Sequence, residues 1–251
     1  MQRHADWIVP DWPAPAPVAA FMTTRAGGFS EPPFDSLNLG THVGDDPGTV
    51  ARNRARLREA LPAEPVWLRQ VHGTHVARPD AGFHGEEADA AVTRAPHTVC
   101  AVMVADCLPV LFCDLEASVV ACAHAGWRGL SGGVLEATLA AMGCPPGRVV
   151  AWLGPAIGPR AFEVGADVHE AFVSHHGQDE ACFRPKAPGT RGESKWWADL
   201  AGLARRRLGR AGIHAVHGGH DCTVEDRARF FSHRRDGRSG RHAALIWLRA
   251  R

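Results

Sequence analysis

The stretch 119–131 constrains the fold more than any other part of this 251-residue chain. Its apolar start, rich in valine and alanine, is typical of a buried strand and ends at His124. A glycine-bracketed turn with Arg128 follows, and then Ser131, a favoured N-cap residue, precedes an apolar-periodic segment that Gly143 closes. A strand, a glycine turn and a helix start bring backbone N–H groups to a place where an anion can bind. We therefore predict a functional site at this turn.

Composition and charge exclude several classes of protein. A formal net charge of +1 gives no reason to expect nucleic acid or an acidic membrane surface as a partner. The long apolar stretches are interrupted by Asp, His or Gly, so no transmembrane helix is predicted. Seven cysteines scattered through apolar runs favour a reducing compartment over a disulfide framework. Because the N-terminal residues also lack the layout of a signal peptide, we expect a cytoplasmic protein.

The remaining segments predict one α+β domain at 18–251, preceded by an extended, proline-rich lead-in at 1–17. The apolar runs predict strands at 18–24, 66–70, 75–77, 88–92, 98–104, 108–113, 119–124, 149–153, 213–216 and 243–248. Helices are predicted at 48–61, 134–142, 166–176 and 197–208, and a surface loop at 178–194. No linker or repeat divides the chain.

The first predicted helix is rich in arginine. Asp46 is a favoured N-cap residue and Pro47 a favoured first helical residue. Alone, the arginine density of this helix would suggest nucleic acid, but a solvated helix face is the commoner cause, and we expect that.

Three segments each place a soft or borderline metal ligand at the end of a strand, namely His72, Cys107 and His124. One cysteine and two histidines suit zinc, and three protein ligands leave a fourth position for water or substrate. Spacing alone does not establish that the three converge, and the alternative is a packed cysteine with two structural histidines. A further alternative makes Cys107 a nucleophile with His124 as its base.

Seven motifs occur in the order found in one known family. They are Thr23-Thr-Arg25-Ala-Gly-Gly, Ser36-Leu-Asn38-Leu-Gly, Gln70-Val-His72-Gly, Ala105-Asp106-Cys107-Leu-Pro, His124-Ala-Gly-Trp-Arg128-Gly, Ile157-Gly158 and Phe231-Ser-His-Arg234-Arg235. From about Val18 to Leu248 the chain resembles the multicopper polyphenol oxidase or laccase-domain family, which is associated with purine nucleoside phosphorylase and adenosine deaminase activity and with peptidoglycan editing. The resemblance implies an α+β fold, a single domain of two mixed β-sheets with helices packed outside. It also implies zinc held by residues His72, Cys107 and His124.

The resemblance further implies phosphorolysis of adenosine, inosine and methylthioadenosine, and hydrolytic deamination of adenosine. Its partners would then be a purine nucleoside and phosphate. For deamination, Asp106 is the candidate that shuttles protons to and from the reacting groups. The alternative role for Asp106 is that of an acceptor that orients a ligand histidine.

Four further polar residues and one thiol are candidates for substrate binding. Arg25 and Arg128 lie in glycine-rich turns and are candidates for holding phosphate through two hydrogen bonds each. Asn38 and Gln70 are candidates for ribose hydroxyls or the base, with a turn-stabilising role as the alternative. Cys222 is expected at the rim of the pocket, by its match to a family cysteine-threonine pair.

Three positions depart from the pattern expected of the family. Ala156 and Arg160 stand where relatives often carry cysteines, and His233 stands where tyrosine is common. None of these departures affects the three predicted ligands.

Two other functions compete with the purine nucleoside enzyme. A hydrolase that edits a cell-wall precursor would use the same Cys107 and His124. A copper-dependent polyphenol oxidase is less favoured, because none of the 15 histidines forms the His-X-His pairs of a trinuclear copper centre. Copper would still bind the three predicted ligands in vitro, since copper(II) outcompetes zinc at most nitrogen and sulfur sites. The oligomeric state is not predicted.

Overall fold

The computed structural model describes residues 4–82, 87–187 and 193–250. Its strands are β1 Val18–Met22, β2 Pro65–Val66, β3 Val76–Ala77, β4 Ala90–Thr93, β5 Val99–Val104, β6 Leu108–Asp114, β7 Val120–Ala125, β8 Val149–Leu153, β9 Glu163–Val164, β10 Phe183–Lys186, β11 Lys195–Ala198, β12 Val216–Gly218 and β13 His242–Leu248. Its helices are α1 Pro47–Arg58, α2 Trp127–Gly132, α3 Val134–Met142, α4 Ala166–Val173, α5 Leu200–Arg210 and α6 His233–Asp236.

Two mixed sheets form the centre of the fold. One has the strand order β1-β13-β5-β2 and the other the order β12-β8-β6-β7-β4-β3. Each combines antiparallel pairs with parallel ones, as β2 with β5 and β12 with β8. The predicted α+β fold of two mixed sheets with helices outside is confirmed, and a third, small sheet of order β10-β11-β9 was not predicted.

The central strands are apolar throughout because both of their faces are buried. In β6, Val110 and Phe112 pack into the cluster that includes α3 and α5, whereas Leu111 and Cys113 pack between the two sheets. Successive side chains of a strand point to opposite faces, so each strand contributes to two cores. This explains the continuous apolar runs in the sequence, which are typical of strands buried on both faces.

The helices cover the outer faces of the two sheets. Leu57 of α1 packs with Phe21, Leu245 and Trp247 on the outer face of the four-stranded sheet. The helices α3, α4 and α5 contribute to the cluster on the outer face of the six-stranded sheet. Within the described ranges, none of the helices has both the length and the apolar character needed to cross a membrane.

The start of the chain contributes to the core more than the predicted lead-in suggests. Trp7 is buried and stacks on Phe21, with the ring centroids 5.0 Å apart. Ile8 forms an isolated bridge to Met22 of β1. Residues 4–17 otherwise contain no strand or helix, and residues 1–3 lie outside the described range.

The helix start predicted at Ser131 is wrong. Gly126 is the N-cap of α2, so the chain is already helical at Trp127, and Ser131 lies inside that short helix. Gly133 then adopts φ 101°, which ends α2 before α3 begins. A left-handed residue interrupts a helix, and glycine adopts this conformation without steric cost. The turn predicted to carry the functional site is therefore a helix start at the end of β7.

The helix predicted from residue 197 is also wrong at its start. Trp196 and Trp197 belong to β11, where they pair with Val164 and Glu163 of β9. The helix α5 begins only after Asp199, whose side chain accepts a hydrogen bond from Gly202 N. The small sheet thus overrides the amphipathic pattern of this segment.

Other boundaries differ by a few residues, because pairing partners rather than local pattern set them. In place of the predicted strand 66–70, the structure has the two-residue strand β2 at Pro65–Val66. In place of the predicted strand 213–216, it has β12 at Val216–Gly218. The loop predicted at 178–194 contains β10, and its residues 188–192 lie outside the described range. By contrast, Asp46 caps α1 as predicted, accepting a hydrogen bond from Thr49 N.

Candidate metal centre and adjoining cavity

His72, Cys107 and His124 converge at one point of the fold. One potential ligand atom from each lies within 4.8 Å of the other two. Cys107 Sγ and His72 Nε2 are 3.7 Å apart, and the two imidazole rings meet edge to face with centroids 4.8 Å apart. Among the residues that the structure describes, this is the group of His, Cys, Asp or Glu side chains placed to hold a metal ion.

The three side chains come from three different places in the chain. His124 is the penultimate residue of strand β7, where it is buried in the six-stranded sheet. Cys107 lies in the tight connection between β5 and β6, and His72 lies in the loop that follows β2. His72 has φ 62° and Asp106, next to Cys107, has φ 85°. Such left-handed conformations cost energy for residues other than glycine and concentrate at functional sites.

Asp89 holds two of these ligands with one carboxylate. Its Oδ1 lies 2.7 Å from His124 Nδ1 and accepts a hydrogen bond of 2.9 Å from His72 N. Its Oδ2 accepts hydrogen bonds from the N–H groups of Val71 and Gly73, at 3.1 and 2.7 Å. The side chain is fully buried, so these contacts are shielded from solvent. With Nδ1 engaged, Nε2 of His124 is the nitrogen available to a metal.

Cys107 and His124 influence each other's ionisation strongly. Burial would raise the pKa of the Cys107 thiol, but the charge and hydrogen bond of His124, together with His72, lower it to about 6. Burial likewise opposes the charged imidazole of His124, yet the Cys107 thiolate and Asp89 raise its pKa to about 9. The pair therefore favours a thiolate beside an imidazolium at neutral pH when no metal is bound. A thiolate is the form of cysteine that binds metals.

Gly126 leaves the space that the three ligands need. A Cβ atom at this position would lie 2.9 Å from both Cys107 Sγ and His72 Cδ2. Both distances are too short for a side chain to be accommodated without displacing a ligand. The glycine that precedes α2 is thus required by the space between Cys107 and His72.

The residues fit a metal ion. A thiolate and two imidazoles form a donor set that zinc and copper both accept, and three protein ligands leave a position for a further ligand. Asp89 supplies the carboxylate that metal-binding histidines usually contact through their second nitrogen.

A cavity of about 810 Å³ adjoins the three ligands, which line it together with the motif residue Gln70. Ligand pockets for small molecules usually lie between about 300 and 1,000 Å³, so the cavity has the size of one. Its walls also include His42, Arg54 and Arg241, which come from the loop before α1, from α1 and from the turn before β13. His233, one of the departures from the family pattern, lines the cavity as well.

The two amides expected to bind substrate are engaged by the protein itself. Gln70 lines the cavity, but its amide makes two hydrogen bonds with the main chain of Met103, at 2.7 and 2.8 Å. Asn38 is fully buried, and its Oδ1 accepts hydrogen bonds from Gly40 N and Arg241 N. Asn38 therefore organises the loop that carries the cavity wall, which corresponds to the turn-stabilising alternative.

The two predicted phosphate ligands lie outside the main cavity. The guanidinium of Arg25 forms an ion pair of 3.0 Å with Asp35 and lines a separate cavity with Arg227 and Arg235. Arg128 is exposed and its guanidinium lies 4.4 Å from the centroid of the neighbouring Trp127 ring. It lines a smaller cavity of about 190 Å³ that also reaches Cys107.

Asp106 lies beside Cys107 in the same smaller cavity. Its carboxylate accepts hydrogen bonds of 2.6 Å from Thr223 Oγ1 and from Arg234 N. The carboxylate that contacts a ligand histidine is Asp89, so the orienting role that was the alternative for Asp106 belongs to Asp89.

Cys222 and the other two departures lie around a third cavity of about 350 Å³. Cys222 Sγ accepts a hydrogen bond of 3.2 Å from Gly158 N, and Arg160 forms an ion pair with Glu225. Ala156 is buried there beside Cys222, with which it forms an isolated bridge. Cys222 is therefore at the edge of a neighbouring cavity and is not among the residues that line the cavity at His72, Cys107 and His124.

Sequence reasoning missed three residues of this site, Asp89, Arg54 and Arg241. Asp89 was visible as a lone acidic residue within the apolar run 88–92, a position that calls for a buried partner. Arg54 was assigned to a solvated helix face, yet it lies half-buried at the cavity. Arg241 had no local signal.

Comparison with known proteins agrees with the fold and the motifs. A purine nucleoside phosphorylase of Pseudomonas aeruginosa is 54% identical over 243 residues, which cover 96% of this chain and 98% of that protein. The purine nucleoside phosphorylase YfiH of Escherichia coli K12 is 51% identical over 244 residues, with the same two shares covered. A crystal structure of a Neisseria meningitidis protein superposes with a TM-score of 0.91 at 50% identity, covering 98% of this chain and all of that one.

The structural likeness extends to more distant proteins. The crystal structure of YlmD from Geobacillus stearothermophilus superposes with a TM-score of 0.84 at 32% identity, covering 100% of this chain and 98% of that one. The sequence profile described as multi-copper polyphenol oxidoreductase laccase matches residues 19–249, which is nearly the whole chain. The resemblance indicated by the seven motifs is confirmed, and the chain belongs to the family that this profile describes.

Proposed function

We propose that this chain is a zinc-dependent purine nucleoside enzyme that phosphorolyses adenosine, inosine and methylthioadenosine and deaminates adenosine. The observation that carries the proposal is the group His72, Cys107 and His124, which faces a cavity of about 810 Å³. A nucleoside has the size that such a cavity accepts. The two relatives named purine nucleoside phosphorylase, 54% and 51% identical over 96% of this chain, support this substrate class.

Zinc is the metal we propose for the three ligands. A bound zinc ion would supply a Lewis acid that polarises an oxygen of substrate or water. The protein's part is to fix the ligands, and it does so through the four contacts that Asp89 makes with His124 and with the loop 71–73. Copper would occupy the same ligands in vitro.

The cavity residues divide between shaping the site and binding substrate. The Gln70 amide is held in place by its two hydrogen bonds with the main chain of Met103. We propose that the side of this amide that faces the cavity contacts the base or the ribose. His233 stands at the boundary of the main and the smaller cavity, where a bound nucleoside would meet it. We propose Arg128 as a contact for substrate that extends into the smaller cavity.

Product analysis tests the proposed activities. Protein with measured metal content is incubated with inosine or with adenosine, with and without phosphate, and the products are separated by liquid chromatography. We expect hypoxanthine and ribose 1-phosphate from inosine only when phosphate is present, and inosine from adenosine under both conditions. Release of base without phosphate, or no conversion of either nucleoside, would contradict the proposal.

We expect Asp106→Asn to separate the two reactions. Proton transfer by a positioned side chain contributes roughly 10²- to 10⁴-fold, and deamination needs it for the leaving ammonia. Phosphorolysis depends more on positioning and charge, so the variant should retain more of that activity. Rates of both reactions and the metal content of Asp106→Asn provide the measurement.

The matched control for this variant is Thr223→Val, which removes the hydrogen bond to the Asp106 carboxylate without removing the acid. If Thr223→Val loses deamination to the same extent as Asp106→Asn, the effect is structural. Unchanged deamination in Asp106→Asn would exclude Asp106 as the proton shuttle.

A second candidate function is a cysteine hydrolase that edits a cell-wall precursor. The feature that favours it is the lowered pKa of Cys107, about 6, which His124 brings about mainly through its charge. A thiolate beside an imidazolium is the arrangement of an activated cysteine nucleophile. The two functions use the same atoms, so a catalytic metal and a free nucleophilic thiolate exclude each other. Hydrolysis of a precursor by metal-depleted protein, lost on adding zinc, would favour the hydrolase.

A further inference from the structure

The cavity next to the metal ligands has a cationic wall that neither the motifs nor the relatives assign. Arg54 and Arg241 are half-buried there, and the exposed His42 lines the same cavity. Burial lowers the pKa of His42, and the charges of Arg241 and Arg54 lower it further, so the three groups are close enough to interact. The fold thus gathers three cationic or titratable side chains at one wall.

Both guanidinium groups are anchored on one side and keep donors on the other. Arg241 Nη1 donates hydrogen bonds to Ser239 O, Ser239 Oγ and Gly240 O, at 2.9 to 3.2 Å. Arg54 Nε donates to Leu39 O at 3.0 Å, and its guanidinium lies 4.1 Å from the centroid of the Trp67 ring. Within the described part of the chain, Nε and Nη2 of Arg241 and Nη1 of Arg54 have no acceptor.

In the ranges 4–82, 87–187 and 193–250, no carboxylate forms an ion pair with either arginine. Glu64 approaches Arg54, but its Oε1 accepts a hydrogen bond from Trp67 Nε1. Arg69, at the same cavity, pairs with Glu87 and is largely exposed. Partly buried cations without an ion-pair partner are unfavourable, so this wall suits an anionic ligand.

The wall is within electrostatic reach of the metal ligands. The charges of Cys107 and Asp106 both act on Arg241, opposing the lowering of its pKa by burial. Arg241 and Cys107 line the same cavity, so an anion bound by Arg241 would lie in the cavity that Cys107 faces. Gly40 permits this arrangement, since a Cβ there would lie 2.8 Å from Cγ of Arg241.

We propose that Arg54, Arg241 and His42 form the subsite that binds inorganic phosphate, the co-substrate of the proposed function on which this inference rests. Planar guanidinium groups recognise phosphate oxygens through paired hydrogen bonds, and two of them supply the charge that a phosphate dianion needs. This places the phosphate in the main cavity, on residues other than Arg25 and Arg128. Arg25 already has Asp35 as a partner, and Arg128 lies at the smaller cavity.

In phosphorolysis, the residues of this subsite would hold the phosphate that attacks the ribose. An oxygen of hydrogen phosphate forms a bond to C1′ of the ribose while the bond from C1′ to N9 breaks. The electron pair of that bond leaves with the purine, and the proton of the hydrogen phosphate is transferred to the purine, so ribose 1-phosphate and free base result. The two guanidinium groups hold the phosphate against C1′ through this exchange.

The test compares Arg54→Lys and Arg241→Lys with two matched controls, Arg56→Lys and Arg238→Lys. Arg56 is on the same helix as Arg54 but stacks on Phe29, and Arg238 is three residues from Arg241 but stacks on Phe34. Binding of inorganic phosphate is measured by calorimetry, and the KM values for phosphate and inosine are measured in the holoenzyme. Metal content and thermal unfolding show whether each variant is folded.

We expect the Kd and the KM for phosphate to rise about 10- to 100-fold in each of the two subsite variants, because lysine loses the paired hydrogen bonds to an anion. The KM for inosine, the metal content and both controls should change less than about twofold. Unchanged phosphate binding in folded Arg54→Lys and Arg241→Lys would overturn the proposal, and so would a larger rise in Arg128→Lys.

Two further outcomes separate this inference from the function on which it rests. If the wild type binds inorganic phosphate in an Arg241-dependent way but does not phosphorolyse inosine, the subsite stands and the proposed function fails. A second binding experiment uses inosine 5′-monophosphate, to test whether the subsite binds free inorganic phosphate or the phosphate group of a nucleotide. Arg241-dependent binding of the nucleotide without binding of inorganic phosphate would overturn the assignment to a co-substrate.

Discussion

Replacing Cys107 with alanine is expected to remove the metal and with it the phosphorolysis of inosine. The thiolate is one of the three proposed ligands, and its Sγ lies within 4.8 Å of a nitrogen of each histidine. Loss of a group that hydrogen-bonds to a metal ligand lowers metal affinity roughly 10- to 100-fold, and loss of a ligand itself should lower it by more. Metal content after gel filtration, expected to fall from about one zinc per chain to a trace, provides the measurement.

Cys144→Ala is the matched control for this variant. Cys144 is a half-buried free thiol whose Sγ donates to Met142 O near the end of α3, away from the three ligands. It should retain the metal and the activity of the wild type. Full zinc occupancy in folded Cys107→Ala would contradict the metal site and leave Cys107 as a nucleophile or a packed thiol.

Replacing Asp89 with asparagine is expected to lower zinc affinity about 10- to 100-fold without removing any ligand. The amide nitrogen of asparagine would face the N–H groups of Val71 and Gly73, which now donate to Oδ2. The loop 71–73, in which His72 has φ 62°, would then lose two of the three hydrogen bonds that hold it. Zinc affinity is measured by competition with a chelator, together with the free energy of unfolding of the metal-free protein.

Asp114→Asn is the matched control for Asp89→Asn. Asp114 is also fully buried, accepts hydrogen bonds from Ser118 N and Val119 N, and pairs with Arg148. Both variants should lose stability, by about 1–3 kcal/mol for each buried group left unpaired. Only Asp89→Asn should lose zinc affinity, and an equal loss in Asp114→Asn would mean that Asp89 acts through general stability.

Much of the fold follows from the sequence because its local signals agree with the tertiary structure. Strands β5 to β8 are short apolar runs bounded by turns, and the cap of α1 is given by Asp46 and Pro47. The signals fail where distant segments decide the outcome. Trp197 fits the amphipathic pattern of the predicted helix 197–208 but pairs with Glu163 of β9, and no local pattern reveals that pairing.

The candidate site was predictable in its ligand types but not in its surroundings. Residue types identify His72, Cys107 and His124, while their convergence depends on three connections that only the fold brings together. The wall formed by Arg54 and Arg241 depends on which face of α1 meets the turn before β13. Arginine on an exposed helix and arginine facing a cavity have the same local sequence, so this part of the site required the structure.

The central claim is that the metal held by His72, Cys107 and His124 is needed for phosphorolysis. The most direct test is to titrate metal-free protein with zinc at saturating phosphate while measuring hypoxanthine released from inosine. The account predicts a rate that rises with bound zinc and reaches its maximum at about one zinc per chain, with equal amounts of hypoxanthine and ribose 1-phosphate. Full phosphorolysis by protein that contains no metal would contradict it.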